Sequence, residues 1–341
     1  MAPDIAASQP IGLQRSPACE PRQQHNPTNQ ALGLRIMKLT LAENFRAVFY
    51  APLYALKALN LAAREGVDIE WLAPGAPGGA IDDVKRGTID LTWGGPMRVM
   101  KDHDSTPADG ASLVCFGAVV ARDPFYLVGK PEPASFELSA LARLRLGVVS
   151  EAPTPWLCLQ ADLQDAGTDP AAMIAANRVT TGLTMQEQLQ ALRDGELDVG
   201  QFFEPYVSQA LAEGAGRLLY AACERGPTIY TTFICSRDGL ARHRDAFAGL
   251  TRALQSAQDW MAANEPVELA RIAAPFFPDV PAALLRASIE RYYRDQVWAS
   301  HPDISKAGFD RLSHSLHAGG FTASRIAYAP CVHSFGETGS V

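Results

Sequence analysis

One pattern of apolar and polar positions occurs twice along the chain, in residues 80–100 and again in residues 187–211. Each copy begins with apolar residues at helical spacing, which lead into a glycine and then a short apolar run. A turn rich in glycine or aromatic residues follows, and a proline opens the next helix. An acidic residue precedes the end of each apolar run, Asp90 in the first copy and Asp198 in the second. The pattern therefore predicts one helix–strand–helix unit that is used twice.

Further strands and helices are predicted around the two copies. Apolar and β-branched runs predict strands at 36–42, 67–72, 89–93, 146–149, 178–180, 197–202 and 217–222. Helical spacing predicts helices at 50–64, 155–166, 185–193, 238–263, 266–275, 281–294 and 305–317. Strands that alternate with helices favour right-handed crossovers and a parallel sheet.

Two long β-rich runs, 111–129 and 228–236, are too extended for one sheet, and we interpret them as crossings between two lobes. The predicted fold class is α/β, with two doubly wound α/β lobes joined by a two-crossing hinge and a ligand in the cleft between them. The predicted division is 1–34 as a disordered tail or the product of a misplaced start codon, 35–117 plus 233–322 as lobe one, 118–232 as lobe two with the crossings, and 323–341 as a loosely ordered tail.

Composition limits the classes of function. The chain has 341 residues, of which 47% are apolar, enough to fill about two cores. Its net charge of -7 comes without a basic stripe, so neither nucleic acid nor an anionic membrane surface is a predicted partner. No stretch approaches the ~18 apolar residues of a membrane span, so no membrane insertion is predicted.

The cysteines and the N-terminal residues suggest a compartment. Six cysteines lie far apart without a CxxC pair, which argues against a disulfide framework or a zinc site. The first residues lack the apolar run of a secretory signal. As written, the chain is expected in the cytoplasm, and in the periplasm if the start codon is misplaced. Because the chain has no GxSxG, Walker or GxGxxG motif, we predict no catalytic residue, no metal site and no cofactor.

Four strand-to-helix elbows carry a proline near the first helical position: Pro52, Pro96, Pro155 and Pro205. Free N–H groups and the positive end of the helix dipole favour an anionic or acceptor-rich ligand at such helix starts. If the strands run as predicted, all four elbows face the cleft.

Residues at these elbows are the predicted ligand-binding set: Asn44, Phe45, Tyr50, Trp93, Gly94, Gly95, Thr154, Trp156 and Glu204. Aromatic walls with a few polar groups are typical of ligand sites. Trp156 is predicted to stack on a flat ring, and the Glu204 carboxylate to accept hydrogen bonds from its amino group. The alternative interpretation is that strand-end aromatic residues such as Phe49 and Phe202 belong to the core. Arg46 and Arg98 are further polar candidates, interpreted as surface residues.

A family resemblance rests on several motifs of the chain. They are Phe49-Tyr50-Ala51-Pro52-Leu53-Tyr54, Glu65-Gly66-Val67-Asp68-Ile69-Glu70, Arg86-Gly87-Thr88-Ile89-Asp90, and Gly195-Glu196-Leu197-Asp198 before Glu204-Pro205. With these motifs the chain resembles the type II periplasmic binding proteins, in the branch shared by sulfonate, nitrate and taurine binding proteins and the thiamine-pyrimidine (NMT1/THI5-like) proteins. The fungal pyrimidine synthases of this branch carry adjacent cysteines next to a histidine, and this chain has no such run.

The resemblance implies a solute-binding protein that closes on a small-molecule ligand and delivers it to an ABC permease. The implied ligand is either a small heteroaromatic molecule similar to the thiamine pyrimidine or an anionic organic molecule. Two alternatives remain open: an enzyme on the same fold, such as a thiamine-pyrimidine synthase or a decarboxylase, and a cytoplasmic ligand sensor.

Overall fold

The computed structural model of the protein describes residues 36–106, 110–130 and 135–335. The predicted tail at 1–34 lies outside the described residues. The strands are β1 Met37–Ala42, β2 Val67–Leu72, β3 Leu91–Gly94, β4 Leu113–Val120, β5 Tyr126–Gly129, β6 Leu146–Gly147, β7 Val179–Thr180, β8 Val199–Phe202, β9 Arg217–Ala221 and β10 Thr231–Ser236. The helices are α1 Ala51–Ala58, α2 Leu61–Arg64, α3 Ile81–Arg86, α4 Met97–Ser105, α5 Thr154–Asp165, α6 Pro170–Ala175, α7 Met185–Asp194, α8 Tyr206–Ala212, α9 Arg237–Arg242, α10 Arg244–Ala263, α11 Pro266–Ala273, α12 Ala282–Arg294, α13 Lys306–Ala318 and α14 Tyr328–Cys331.

The strands form two five-stranded sheets with the same plan. The first has the order β2-β1-β3-β10-β4 and the second the order β7-β6-β8-β5-β9. In the first, β3 pairs parallel with β1 and antiparallel with β10; in the second, β8 pairs parallel with β6 and antiparallel with β5. The predicted α/β fold class with two lobes is confirmed. The predicted parallel pairing of the strand-helix-strand segment is confirmed in the first sheet, where β1 pairs parallel with β2 and β3. The strands that follow each crossing, β5 and β10, run antiparallel to their neighbours.

The repeated sequence unit forms the same structure in each sheet. Its helix is α3 in the first copy and α7 in the second, and each ends at a glycine with φ near the left-handed region, +73° at Gly87 and +75° at Gly195. Its strand is β3 or β8. Ahead of the strand, Asp90 Oδ2 accepts a hydrogen bond from the Thr40 backbone N–H, and Asp198 Oδ2 accepts one from that of Arg145, both at 2.8 Å. The acidic residue of each copy therefore joins its strand to the neighbouring chain segment.

The chain crosses from the first sheet to the second after β4, which ends at Val120, and returns before β10, which begins at Thr231. Both predicted domain limits, 118 and 232, fall within these two strands, which pair with each other in the first sheet. The crossings are joined by a buried ion pair in which Arg225 of the second contacts Asp123 of the first.

The chain after β10 is mostly helical, as predicted, with helices α9 to α14. The predicted helices 50–64 and 238–263 are each two helices, the first broken at Asn60 (φ +54°) and the second at His243. Residues 323–335, the described part of the tail predicted to be loosely ordered, contact the rest of the chain. Cys331 is fully buried, and the His333 N–H donates to the Cys115 carbonyl at 2.9 Å. None of the helices in the described ranges is long and apolar enough to span a membrane.

Candidate functional site

A small cavity lies where three of the four predicted elbows meet, those at Pro52, Pro96 and Pro155; the elbow at Pro205 does not line it. It has a volume of about 40 Å³, room for on the order of three water molecules. The segments after β1 and β3, the start of α5 and both crossings contribute to it, as expected where the carboxyl ends of strands face a cleft. Its lining residues are Asn44, Phe45, Phe49, Tyr50, Pro77, Gly95, Met97, Arg98, Phe125, Ala152, Thr154 and Tyr230. Five predicted residues are thus brought together here: Asn44, Phe45, Tyr50, Gly95 and Thr154.

Arg98 supplies the only charge among these lining residues. It is the second residue of α4, and its guanidinium lies against the backbone of Gly78, where a Cβ would be 2.0 Å from Arg98 Cζ. Within the described parts of the chain, its side chain has neither a hydrogen-bond acceptor nor a carboxylate partner. Partial burial lowers the pKa of Arg98, because desolvation disfavours the charged form. A cation held in this way is available to an anionic ligand.

Two further polar residues, Tyr230 and Asn44, line the same cavity as Arg98. The Tyr230 hydroxyl is buried and has no hydrogen-bond partner among the described residues. Burial raises the pKa of Tyr230 well above its ordinary value, so this hydroxyl stays protonated and can donate. Asn44 Nδ2 donates to the Tyr50 hydroxyl at 3.3 Å, while Asn44 Oδ1 accepts from the Gly78 N–H at 3.2 Å. Asn44 therefore holds the loop on which the Arg98 guanidinium rests.

Five aromatic residues are among those that line the cavity, namely Phe45, Phe49, Tyr50, Phe125 and Tyr230. Phe203, the residue after β8, packs edge-on against Phe49 and Phe125, with ring centroids 5.5 and 5.4 Å apart. Phe203 also contacts Phe45 at 6.3 Å. This aromatic wall thus joins lining rings of the first sheet and the first crossing to Phe203, which follows β8.

Three of the predicted residues lie in other places. Trp93 is 1% exposed and packs edge-on against Tyr50 and Trp71 in the first sheet, so it belongs to the core. Gly94 does not line the cavity, although its lack of a side chain matters there: a Cβ would be 3.1 Å from Asn44 Nδ2. Trp156 is partly buried against the apolar core of the second sheet. The helix phase of α5 turns Thr154 toward the cavity and Trp156 away from it.

Glu204 also lies away from the cavity, and its carboxylate is already satisfied. It is 0% exposed, and its oxygens accept from Arg291 Nε at 2.7 Å, Ser208 Oγ at 2.8 Å and Ser288 Oγ at 3.1 Å. The Glu204 N–H donates to the Tyr292 hydroxyl at 3.0 Å. The expected ligand acceptor is instead the centre of a network that holds α12 against the second sheet, because the tertiary fold supplies a counter-charge that the local sequence lacks.

Sequence reasoning interpreted Arg98 as a surface residue and did not single out Tyr230, although both line the cavity. An Asp102 at i+4 suggests an intrahelical ion pair for Arg98. In the structure Asp102 binds Lys85 at 2.6 Å and accepts from the backbone N–H groups of Ser112 and Leu113. Arg98 is left unpaired by contacts that come from distant segments, and no local signal predicts that outcome.

Comparison with known proteins agrees with this architecture. The NMT1-like family matches residues 127–274. The protein YtlA of Bacillus subtilis (strain 168) is 21% identical over 315 residues, covering 87% of this chain and 88% of YtlA.

Two solved structures have the same fold. The periplasmic aliphatic sulphonate binding protein SsuA from Escherichia coli matches with a TM-score of 0.68 and 16% identity, over 85% of this chain and 95% of SsuA. The alkanesulfonate-binding protein SsuA from Xanthomonas axonopodis pv. citri, bound to MOPS, matches with a TM-score of 0.66 and 17% identity, over 88% and 99%. The predicted resemblance to the SsuA/NMT1-like type II periplasmic binding proteins is confirmed.

Proposed function

We propose that this chain is a solute-binding protein for an ABC importer and that it closes on a small organic anion at the cavity around Arg98. The observation that carries the proposal is the unpaired guanidinium of Arg98 in a cavity that Tyr230, whose hydroxyl has no hydrogen-bond partner among the described residues, also lines. A cation and a donor that lack partners in the protein are suited to a ligand that brings negative charge and acceptor oxygens.

Of the two ligand classes that the sequence left open, the charge of the cavity favours the anion. A heteroaromatic amine needs an acceptor, and none of the described lining residues carries a carboxylate. Glu204, the predicted acceptor, is occupied by Arg291. We therefore propose an acidic head group in place of a thiamine-pyrimidine-like ring.

The size of the cavity indicates which part of the ligand it holds. About 40 Å³ suits the three oxygens of a sulfonate head, and the rest of a ligand requires the aromatic wall to open. The two SsuA structures, described as binding aliphatic sulphonates and alkanesulfonates, support a sulfonate as the first ligand to test. By the same analogy we propose a periplasmic location.

Calorimetric titration of the purified protein with alkanesulfonates, MOPS and the thiamine pyrimidine tests the proposal. Arg98→Gln is expected to weaken sulfonate binding tenfold or more, since a charge-assisted hydrogen bond contributes about 1.5–3 kcal/mol. Tyr230→Phe is expected to weaken it about threefold to tenfold, as one neutral hydrogen bond would. Arg286→Gln, on the exposed face of α12, is the matched control and should bind as wild type does.

Two results would count against the proposal. One is the absence of sulfonate and carboxylate binding. The other is pyrimidine binding that Arg98→Gln leaves unchanged, since that ligand would not use the cation.

Small-angle scattering should show a smaller radius of gyration with sulfonate than without it, because the two lobes close on the ligand.

A further inference from the structure

A second and much larger cavity lies beside the hinge. Its volume is about 450 Å³, within the ~300–1,000 Å³ range of small-molecule sites. Both crossings line it, the first through Arg122 and the second through Pro227 and Ile229. We call it the hinge cavity. It shares no lining residue with the cavity around Arg98, so it is a separate space.

Two polar groups of the hinge cavity lack partners within the described residues. The Arg122 side chain is partly buried and has no hydrogen-bond acceptor or carboxylate partner there. Gln258 is 3% exposed; its Nε2 donates to the Ala118 carbonyl at 2.9 Å, but its Oε1 is buried and accepts no hydrogen bond. Buried polar atoms of folded proteins are nearly always paired, so an orphaned acceptor beside an open cavity indicates a missing partner.

The remaining lining is mostly apolar. Ile229, Met261 and the ring of Trp298 provide a wall for an apolar body, and the Trp298 ring is fixed because its Nε1 donates to the Phe49 carbonyl at 2.8 Å. Asp303 at the rim is 67% exposed and lies 3.9 Å from His301, so water screens its charge. Arg122 is therefore the charge that a ligand body in this cavity would meet.

We propose that the hinge cavity is a second binding site, for a small aromatic monocarboxylate with a hydrogen-bond donor. The carboxylate pairs with Arg122, the ring lies against Trp298 and Met261, and the donor approaches Gln258 Oε1 after a small rotation of that side chain. The cavity has one unsatisfied cation, Arg122, and one unsatisfied acceptor, Gln258 Oε1. A ligand with a carboxylate and a donor satisfies both, whereas a neutral hydrocarbon or a cation does not.

Occupancy of the hinge cavity is expected to change the affinity of the cavity around Arg98, a statement that rests on the proposed function. The two spaces share structural walls: Ile229 faces the hinge cavity, and the next residue, Tyr230, lines the other. The hydrogen bond from Trp298 Nε1 to the Phe49 carbonyl is a second link, because Trp298 lines the hinge cavity and Phe49 lines the cavity around Arg98. A ligand that favours one hinge conformation therefore alters binding at the other site, and the effect is reciprocal.

Calorimetric titration of the full chain with 4-aminobenzoate, benzoate and the neutral 4-aminobenzamide tests the site. We expect 4-aminobenzoate to bind at least as tightly as benzoate, and Arg122→Gln to weaken both about tenfold, while the amide binds more weakly and is unaffected by the substitution. Arg286→Gln serves as the control for loss of one surface arginine. Absence of carboxylate binding, or binding that Arg122→Gln leaves intact, overturns the proposal.

Repeating the titration on Arg98→Gln separates this site from the proposed function. Unchanged 4-aminobenzoate binding supports the hinge cavity, whatever happens to sulfonate binding. Binding that Arg98→Gln abolishes and Arg122→Gln does not would place the carboxylate at Arg98, which overturns the hinge site and supports the proposed function. Sulfonate affinity measured at saturating 4-aminobenzoate tests the coupling, and an unchanged affinity overturns it.

Discussion

The two copies of the repeated unit end in similar elbows, at Pro96 in the first copy and at Pro205 in the second, called here the first and the second elbow. They differ in whether the folded chain pairs their charged residue. In the first, Arg98 follows Gly95-Pro96; in the second, Glu204 comes immediately before Pro205. Arg98 faces a cavity without a counter-charge. Glu204 is enclosed by Arg291 and three hydroxyl-bearing or backbone donors.

The difference shows that a charged residue at an elbow becomes a ligand candidate only when the tertiary structure leaves it unpaired. The second elbow is covered by α12, which begins at residue 282 and brings Arg291 to it. At the first elbow the glycine-rich loop around Gly78 offers Arg98 backbone, and none of the described residues that line this cavity carries a carboxylate. One repeated unit therefore serves as the candidate binding site in the first lobe and as a structural joint in the second.

The largest expected effect comes from breaking the second elbow. Arg291→Met leaves the carboxylate of Glu204 buried without a counter-charge, and breaking such a pair typically lowers the free energy of unfolding by about 3–5 kcal/mol. Urea denaturation measures this loss in the free energy of unfolding. Arg286→Met, on the same helix and in an exposed ion pair, should cost no more than about 1 kcal/mol. Sulfonate affinity should be unchanged in both variants, and a tenfold loss in Arg291→Met would instead include the second elbow in the binding site.

A smaller effect is expected from filling the space next to Arg98 at the first elbow. Gly78→Ala and Gly66→Ala both force a side chain into the left-handed region, at φ +76° and +73°, with a similar strain of roughly 1–2 kcal/mol. Only at Gly78 would the new methyl group collide with the Arg98 guanidinium; nothing lies within 4 Å of a Cβ at Gly66. We expect about tenfold weaker sulfonate binding in Gly78→Ala alone, measured by calorimetry. Equal affinities in the two variants would mean that Arg98 does not contact the ligand from its present position.

The smallest expected effect is on the free energy of unfolding, and it comes from Asp198, the acidic residue before the strand of the second copy. The hydrogen bonds from the Arg145 side chain lower the pKa of Asp198, although burial opposes this shift. A carboxyl whose pKa is lower in the folded state stabilises the protein above its ordinary pKa near 4, and this contribution disappears as the pH falls through the lowered pKa.

Asp198→Asn should therefore be less stable than wild type at pH 7 by about 1 kcal/mol, since the pair is partly exposed and solvent weakens it. Urea denaturation between about pH 7 and pH 2 should show this difference shrinking toward acid. A difference that stays constant across that range would assign the role of Asp198 to its shape instead of its charge.

Local patterns were sufficient to bring together five of the residues that line the cavity around Arg98. Periodicity predicts where strands end and helices begin, and the sheet plan brings those ends together. The residues found in this way are Asn44, Phe45, Tyr50, Gly95 and Thr154. Trp156 was misplaced because it is two residues beyond Thr154 on the same helix, and a helix turns about 200° over two residues. Its ring therefore faces the second sheet.

The repeated unit, its helix-ending glycines, its aspartates and the change from strand to helix at each proline follow from the order of residues, since each depends on backbone preferences within a few positions. The partners of the charged groups depend on distance in space. Asp102 binds Lys85 and backbone N–H groups instead of Arg98, and Glu204 binds Arg291 from 87 residues away. Because burial makes an ion pair or an unpaired charge matter energetically, and burial is set by how the whole chain packs, only the folded structure decided which elbow could hold a ligand.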